Sequence, residues 1–185
     1  MQKVTTGIDI VTALNMKLPQ TFVEKSHHIH VVIETPRDCA AKYVFDPETE
    51  LFKLKKILPE GISFPFHFGF IPFTIAEDGD PVDVLVLLDE PSWPGCVIEC
   101  KVLGVIEAEE TEEGKSQRND RVLAAALQSN RYKEVTTLFD LDKYLVDEIV
   151  NFLISYTSFE NKDLKIIGRQ GPKTAIRLVK KQMVQ

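Results

Sequence analysis

Three carboxylates fall within six residues at Asp78, Asp80 and Asp83, and the apolar run Val84-Leu85-Val86-Leu87 follows directly. Asp-Gly-Asp-Pro makes a turn by local geometry alone, and a solvated turn is the plain reading of that stretch. The run that follows reads as a buried strand, which puts Asp83 at the edge of a core. An ionised group there is costly unless it is paired or metal-bound. Hard divalent cations take oxygen ligands, and a turn leading into a rigid strand aims carboxylates at one point. The segment is therefore a candidate Mg²⁺ site built from Asp78, Asp80 and Asp83. It is not a calcium EF-hand, because counting from Asp78 the sixth position is Asp83 rather than Gly and the twelfth is Asp89 rather than Glu.

Other chemistry-bearing residues are less specific. His27, His28 and His30 form a short cluster in which His28 and His30 share a strand face with Glu34, but no HExxH pattern or distant ligand set completes a zinc site. His67 lies among Phe64, Phe66, Phe68 and Phe70, alternating rings that read as core rather than as a stacking platform, given the acidic chain. Glu107 to Glu113 reads as a solvated hairpin tip, and Arg177, Lys180 and Lys181 as the exposed face of a last helix.

Short β runs at Ile29 to Glu34, Lys42 to Asp46, Leu51 to Leu58, Asp83 to Leu88, Cys96 to Ala108 and Arg121 to Leu127 position these residues. Pro, Gly and Asp turns separate them, as in a small closed barrel over 29–127. Beyond Asp140 the period becomes helical. Leu145, Ile149, Phe152, Leu153 and Tyr156 make one stripe, Asp140 or Asp142 stands as N-cap, and a last helix covers Lys173 to Gln182. Ile10, Val11, Leu14 and Leu18 give an N-terminal arm over 1–25 the spacing of a short helix. Strands followed by a helical flank over 140–184 indicate the α+β class, expected as one domain over 1–185.

Composition excludes some function classes. A net charge of −6, from 28 acidic and 22 basic residues, argues against broad nucleic-acid binding. Cys39, Cys96 and Cys100 lack metal-type spacing, and Cys96 and Cys100 stand too far apart on one strand to bond. No apolar run suits a bilayer and no signal pattern opens the chain, so a soluble, cytoplasmic protein is expected.

On Asp78-Gly79-Asp80-Pro81-Val82-Asp83-Val84-Leu85-Val86, with Val32-Ile33-Glu34-Thr35-Pro36, Lys42-Tyr43 and Pro94-Gly95-Cys96-Val97-Ile98 in order, the chain resembles the soluble family I inorganic pyrophosphatases over roughly Ile29 to Ala175. The resemblance implies an OB-type barrel of five strands, dependence on Mg²⁺ with Mn²⁺ as a substitute, and a homo-oligomer, hexamer or dimer. It makes Asp78 and Asp83 metal ligands and Asp80 the base that accepts a proton from metal-activated water. Lys42, Lys56 (Lys55 if the gap shifts), Tyr156, Glu34 and Arg121 become the substrate-binding set. For Tyr156 a purely core role stands beside the phosphate contact.

Departures from the family pattern cluster in the site. Val44 replaces a carboxylate, Phe64 and Phe68 replace tyrosines, lysine replaces an arginine, Asn119 replaces an acid that neighbouring Asp120 could supply, and Thr157 replaces a lysine. Lys53, Lys55, Arg118, Arg121, Lys162 and Lys165 stand as replacement cations. The expected activity is hydrolysis of pyrophosphate to two phosphates. Two other readings stand beside it: an impaired paralogue that binds a phosphate-containing ligand or serves in assembly, and a hydrolase of an organic phosphoanhydride.

Overall fold

Period-two apolar runs become strands wherever a face can be buried, and a computed structural model describes them over residues 18–184. Strands β1 (Ile29–Thr35), β2 (Ala41–Asp46), β3 (Leu51–Ile57), β4 (His67–Phe70), β5 (Asp83–Leu87), β6 (Val97–Glu112), β7 (Lys115–Arg118) and β8 (Arg121–Ala126) come first. Helix α1 (Lys143–Ser158), strand β9 (Asp163–Gln170) and helix α2 (Pro172–Gln182) follow. The short helix expected from Ile10, Val11, Leu14 and Leu18 lies, apart from Leu18, outside the described residues.

Pairing runs β1-β4-β5-β8-β6 and returns from β6 to β1, so five strands close the expected ring, while β7 and β9 extend the far half of β6. Neighbours in the ring are antiparallel except for β5 and β8, which run parallel with Val84 level with Val122. β2 and β3 form a separate ribbon.

Both faces of the ring are covered, which is why β5 reads as a continuous apolar run rather than an alternating one. Val84, Val86, Val122 and Ala124 pack with Ile29, Val31 and Ile33 of β1 and with Val179 of α2. Leu85, Leu87, Leu123 and Ala125 point the other way, against Phe64, Phe68 and the Ile149, Leu153 and Tyr156 stripe of α1. Fully burying one such side chain contributes about 1.5–3 kcal/mol.

α1 starts where expected, with Asp142 as N-cap accepting the Tyr144 N–H at 2.7 Å. Asp140 instead closes the preceding short turn, accepting the N–H groups of Thr136 and Thr137.

Several elements differ from the sequence expectation. The runs at Lys42 to Asp46 and Leu51 to Leu58, expected within the barrel, form the β2–β3 ribbon outside the ring. The helical flank over 140–184 contains β9, whose mixed polar sequence suits a strand laid along β6 with one partly exposed face. The Phe-rich segment is core, as read, but part of it is also a ring strand, β4. β6 runs on to Glu112, so only Glu113 and Gly114 turn the hairpin; Glu110, read as part of a solvated tip, is buried.

Two local features of β1 matter for the site. A side chain at Gly69 would collide with the Val32 carbonyl, so glycine lets β4 approach β1 closely. One step on, the register slips between Ile33 and Thr35, leaving Glu34 at a bulge, a device that re-aims a side chain.

Candidate active site

Asp83 begins β5, and the parallel register sets it beside Arg121, the first residue of β8. Arg121 Nε lies 3.2 Å from Asp83 Oδ2. The guanidinium is buried, and its Nη1 donates to the Asn119 backbone carbonyl at 3.1 Å and to the Asn119 side-chain oxygen. Asn119 Nδ2 in turn donates to Glu110 Oε2 at 3.0 Å, and Lys162 Nζ donates to Glu110 Oε1 at 2.9 Å. A polar chain thus runs from Lys162 through Glu110, Asn119 and Arg121 to Asp83.

The loop before β5 holds the other two aspartates. Ile71 N–H bonds to the Val82 carbonyl and Thr74 Oγ1 accepts the Val82 N–H, which closes its base. Gly79 takes a φ of 90°, in the left-handed region that glycine tolerates, and Asp80 N–H donates to Asp78 Oδ1 at 3.1 Å. Asp80 is exposed, and Asp78 and Asp83 are half-buried. Burial raises the Asp78 carboxyl above its usual range, and the charges of Asp83 and Asp80 add to that rise. Among the described residues, no three His, Cys, Asp or Glu side chains gather around one metal position. The sparse set fits Mg²⁺ nonetheless, since that ion uses one or two carboxylates together with waters and phosphate oxygens rather than an all-protein cage.

Opposite these acids stands a cationic group. Lys42 and Lys56 are Cα partners across the β2–β3 ribbon. Lys42 Nζ donates to Tyr156 Oη at 2.7 Å and lies 5.2 Å from the centre of the Phe68 ring. Lys56 Nζ lies 4.4 Å from the centre of the Tyr156 ring and 2.7 Å from Glu160 Oε1. Tyr156 Oη donates to the same Glu160 oxygen at 3.0 Å. Burial lowers the Lys42 ammonium below its ordinary value, opposed by the charges of Asp83 and Glu160. Burial and Glu160 push the Tyr156 hydroxyl up, so it stays a neutral donor. Its ring is core, 5.2 Å from that of Phe64, while its hydroxyl lies between the lysine and glutamate side chains.

Glu34, re-aimed by the bulge, accepts the Phe45 N–H at 2.7 Å. Burial pushes its carboxyl up to about 7, with Asp83 adding to the rise and the Phe45 N–H opposing it. Lys55 is close enough for its charge to act on both Glu34 and Lys42, so either neighbouring lysine bears on the site.

Several replacements considered from sequence are occupied elsewhere. Asp120 accepts the Ala108 N–H and pairs with Arg118; Lys53 pairs with Asp46, and Lys162 with Glu110 and Glu112. Thr157 Oγ1 donates to the Leu153 carbonyl of its own helix. His67 opens β4 within the Phe-rich segment. It is buried, with Nδ1 accepting from the Arg37 N–H and Ser92 Oγ and Nε2 meeting the Glu90 carbonyl. His30 Nδ1 is occupied by the Gln20 carbonyl. Glu160 was not visible as a site residue from sequence, since it lies in the turn just past the end of α1.

Known proteins share the sequence pattern and the fold of this chain. The profile of the pyrophosphatase family, described as inorganic pyrophosphatase, matches residues 31–185. The chain is similar to the inorganic pyrophosphatase of a Synechocystis species, 35% identical over 155 residues that cover 84% of this chain and 89% of that protein. A Nostoc relative of the same name is 37% identical over 142 residues, covering 77% of this chain and 82% of the relative. The crystal structure of inorganic pyrophosphatase from Thermus thermophilus superposes with a TM-score of 0.79 at 33% identity, covering 89% of this chain and 93% of that one.

Proposed function

The chain belongs to the inorganic pyrophosphatase family, and from that premise we propose that it hydrolyses pyrophosphate to two phosphates at the site between Asp83 and Lys42. The observation that carries this reading is geometric: a loop and strand end that carry Asp78, Asp80 and Asp83, together with a cluster in which Lys42 and Lys56 both converge on Tyr156.

Asp78 and Asp83 would hold the divalent cation, Mg²⁺ or Mn²⁺. When bound, such an ion supplies a water of lowered pKa and neutralises phosphate charge. Asp80, exposed at the loop tip, is the proposed acceptor of that water's proton. Lys42 and Lys56 bind phosphate oxygens as point charges, and Tyr156 offers its hydroxyl. Arg121 and Glu34 complete the wall, the first by fixing Asp83 and the second through its hold on Phe45.

The family match supports one pyrophosphatase-like domain. No described helix is long and apolar enough to cross a membrane, and the three cysteines are free. A cytoplasmic location and a homo-oligomer, hexamer or dimer, belong to the same proposal. The organic-phosphoanhydride reading takes a pocket made less polar by Val44, Phe64 and Phe68; of these, both rings are buried in the core and Val44 is partly exposed. An impaired paralogue keeps some support, because Asn119 and Thr157 spend their polar groups internally.

Phosphate release from pyrophosphate, scanned over Mg²⁺ and Mn²⁺ beside Asp80→Asn, tests the proposal. Metal-dependent release that falls about 100-fold or more in the variant is expected. Folded wild-type protein that releases no phosphate above the variant would move the assignment to the paralogue.

A further inference from the structure

Glu160 places a carboxylate among the very donors assigned to phosphate. Its Oε1 accepts from Lys56 Nζ at 2.7 Å and from Tyr156 Oη at 3.0 Å, and Tyr156 Oη itself receives Lys42 Nζ at 2.7 Å. One anionic oxygen therefore orders both lysines and the tyrosine. A polyanionic ligand cannot reach these donors without either competing for them or standing against a like charge.

The backbone under Glu160 does not depend on its carboxylate. Its N–H donates to the Thr157 carbonyl at 2.9 Å, Asn161 N–H donates to the Ser158 carbonyl at 3.1 Å, and Asn161 takes the left-handed φ of 59° common after a helix end. The side chain keeps 21% of its surface exposed, so it has a way out to solvent while the turn stays in place.

We propose that Glu160 is a displaceable internal counter-anion: it holds Lys56, Tyr156 and, through Tyr156, Lys42 in place without ligand, and a phosphoryl group takes over its position when substrate binds. The exchange is acceptor for acceptor. Lys56 and Tyr156 donate to a phosphoryl oxygen in place of the carboxylate, and no proton changes hands. Glu160 thereby sets the affinity for the phosphate class of ligand and favours anions of higher charge than its own. This rests on the assignment of Lys42, Lys56 and Tyr156 as the phosphate wall.

The test is direct binding of inorganic phosphate by calorimetry to wild type, Glu160→Gln and Glu160→Ala, with matched thermal midpoints as the check on folding. Removal of one nearby charge is expected to lower the dissociation constant about tenfold in both variants, and the KM for pyrophosphate should fall in parallel. A residue that merely positions the lysines would move both constants upward. Unchanged or weaker phosphate binding in the variants, or no binding by any of the three proteins, overturns the proposal. Pyrophosphate hydrolysis by wild type is read separately, so loss of the parent assignment cannot be mistaken for loss of this one.

Discussion

Asp83 and Arg121 stand side by side at the heads of the parallel strands β5 and β8, joined Nε to Oδ2 at 3.2 Å. The parallel register, not a loop, makes the pair, because Val84 lies level with Val122 one residue further on. A carboxylate assigned to a metal thus has a built-in competitor for its charge. The competitor is held in turn by Asn119.

Arg121→Met should therefore act in two directions. It leaves Asp83 without its protein partner and Asn119 without its donor, which costs about 2 kcal/mol once the partial exposure of Asp83 is allowed for. Freed of the guanidinium, Asp83 should bind Mn²⁺ more tightly. Urea unfolding without metal and a Mn²⁺ titration measure the two effects; a titration unchanged by the substitution would show that the pair does not compete with metal.

Tyr156→Phe separates the two ends of that side chain. The ring stays packed on Phe64 and Phe152, while Lys42 loses an acceptor and Glu160 a donor. A stability loss of about 1 kcal/mol is expected, with kcat/KM for pyrophosphate down about tenfold. Phe64→Ala does the reverse, costing about 3–5 kcal/mol through a cavity beside the rings of Phe68, Phe152 and Tyr156.

Much of this arrangement was legible in the sequence, and the rest was hidden for physical reasons. The apolar runs of β5 and β8 and the Asp142 cap of α1 carry local signals that survive folding. β4 was hidden because four buried residues in a row show no polar alternation. β9 was hidden because its place along β6 is set by a partner more than fifty residues away. Asp78, Asp80 and Asp83 announce themselves by spacing. The role of Glu160 does not, because its partner Lys56 lies 104 residues earlier and meets it only when the ribbon folds over the end of α1.

Glu34→Gln should stabilise the metal-free protein at high pH. Its carboxyl is pushed up to about 7 from an ordinary 4.5, so the native state binds more protons than the unfolded chain between those values. Native stability then falls as pH rises from about 4.5 to about 7, and the cost of the charged form is fully present above that. Glutamine removes that cost, at most roughly 3 kcal/mol, while leaving an oxygen for the Phe45 N–H. Urea midpoints for both proteins at pH 5 and pH 8 measure it, and equal midpoints at pH 8 would count against a strained, buried Glu34.

His67 has the opposite sign. Its Nδ1 already accepts from Arg37 and Ser92, which leaves Nε2 to donate to Glu90 and no room for a second proton. Burial lowers its pKa below the ordinary 6.5, so the unfolded chain takes up a proton that the native ring refuses. The stability linked to this ring is complete above about pH 6.5 and is lost as pH falls below it, by at most about 1.4 kcal/mol per pH unit. His67→Gln keeps an acceptor and a donor but cannot titrate, so it should flatten the wild-type decline between pH 6.5 and pH 5. Should the variant and wild type lose stability in parallel over that range, another group carries the acid sensitivity, and the ring that ties Arg37 and Ser92 to β4 is not its source.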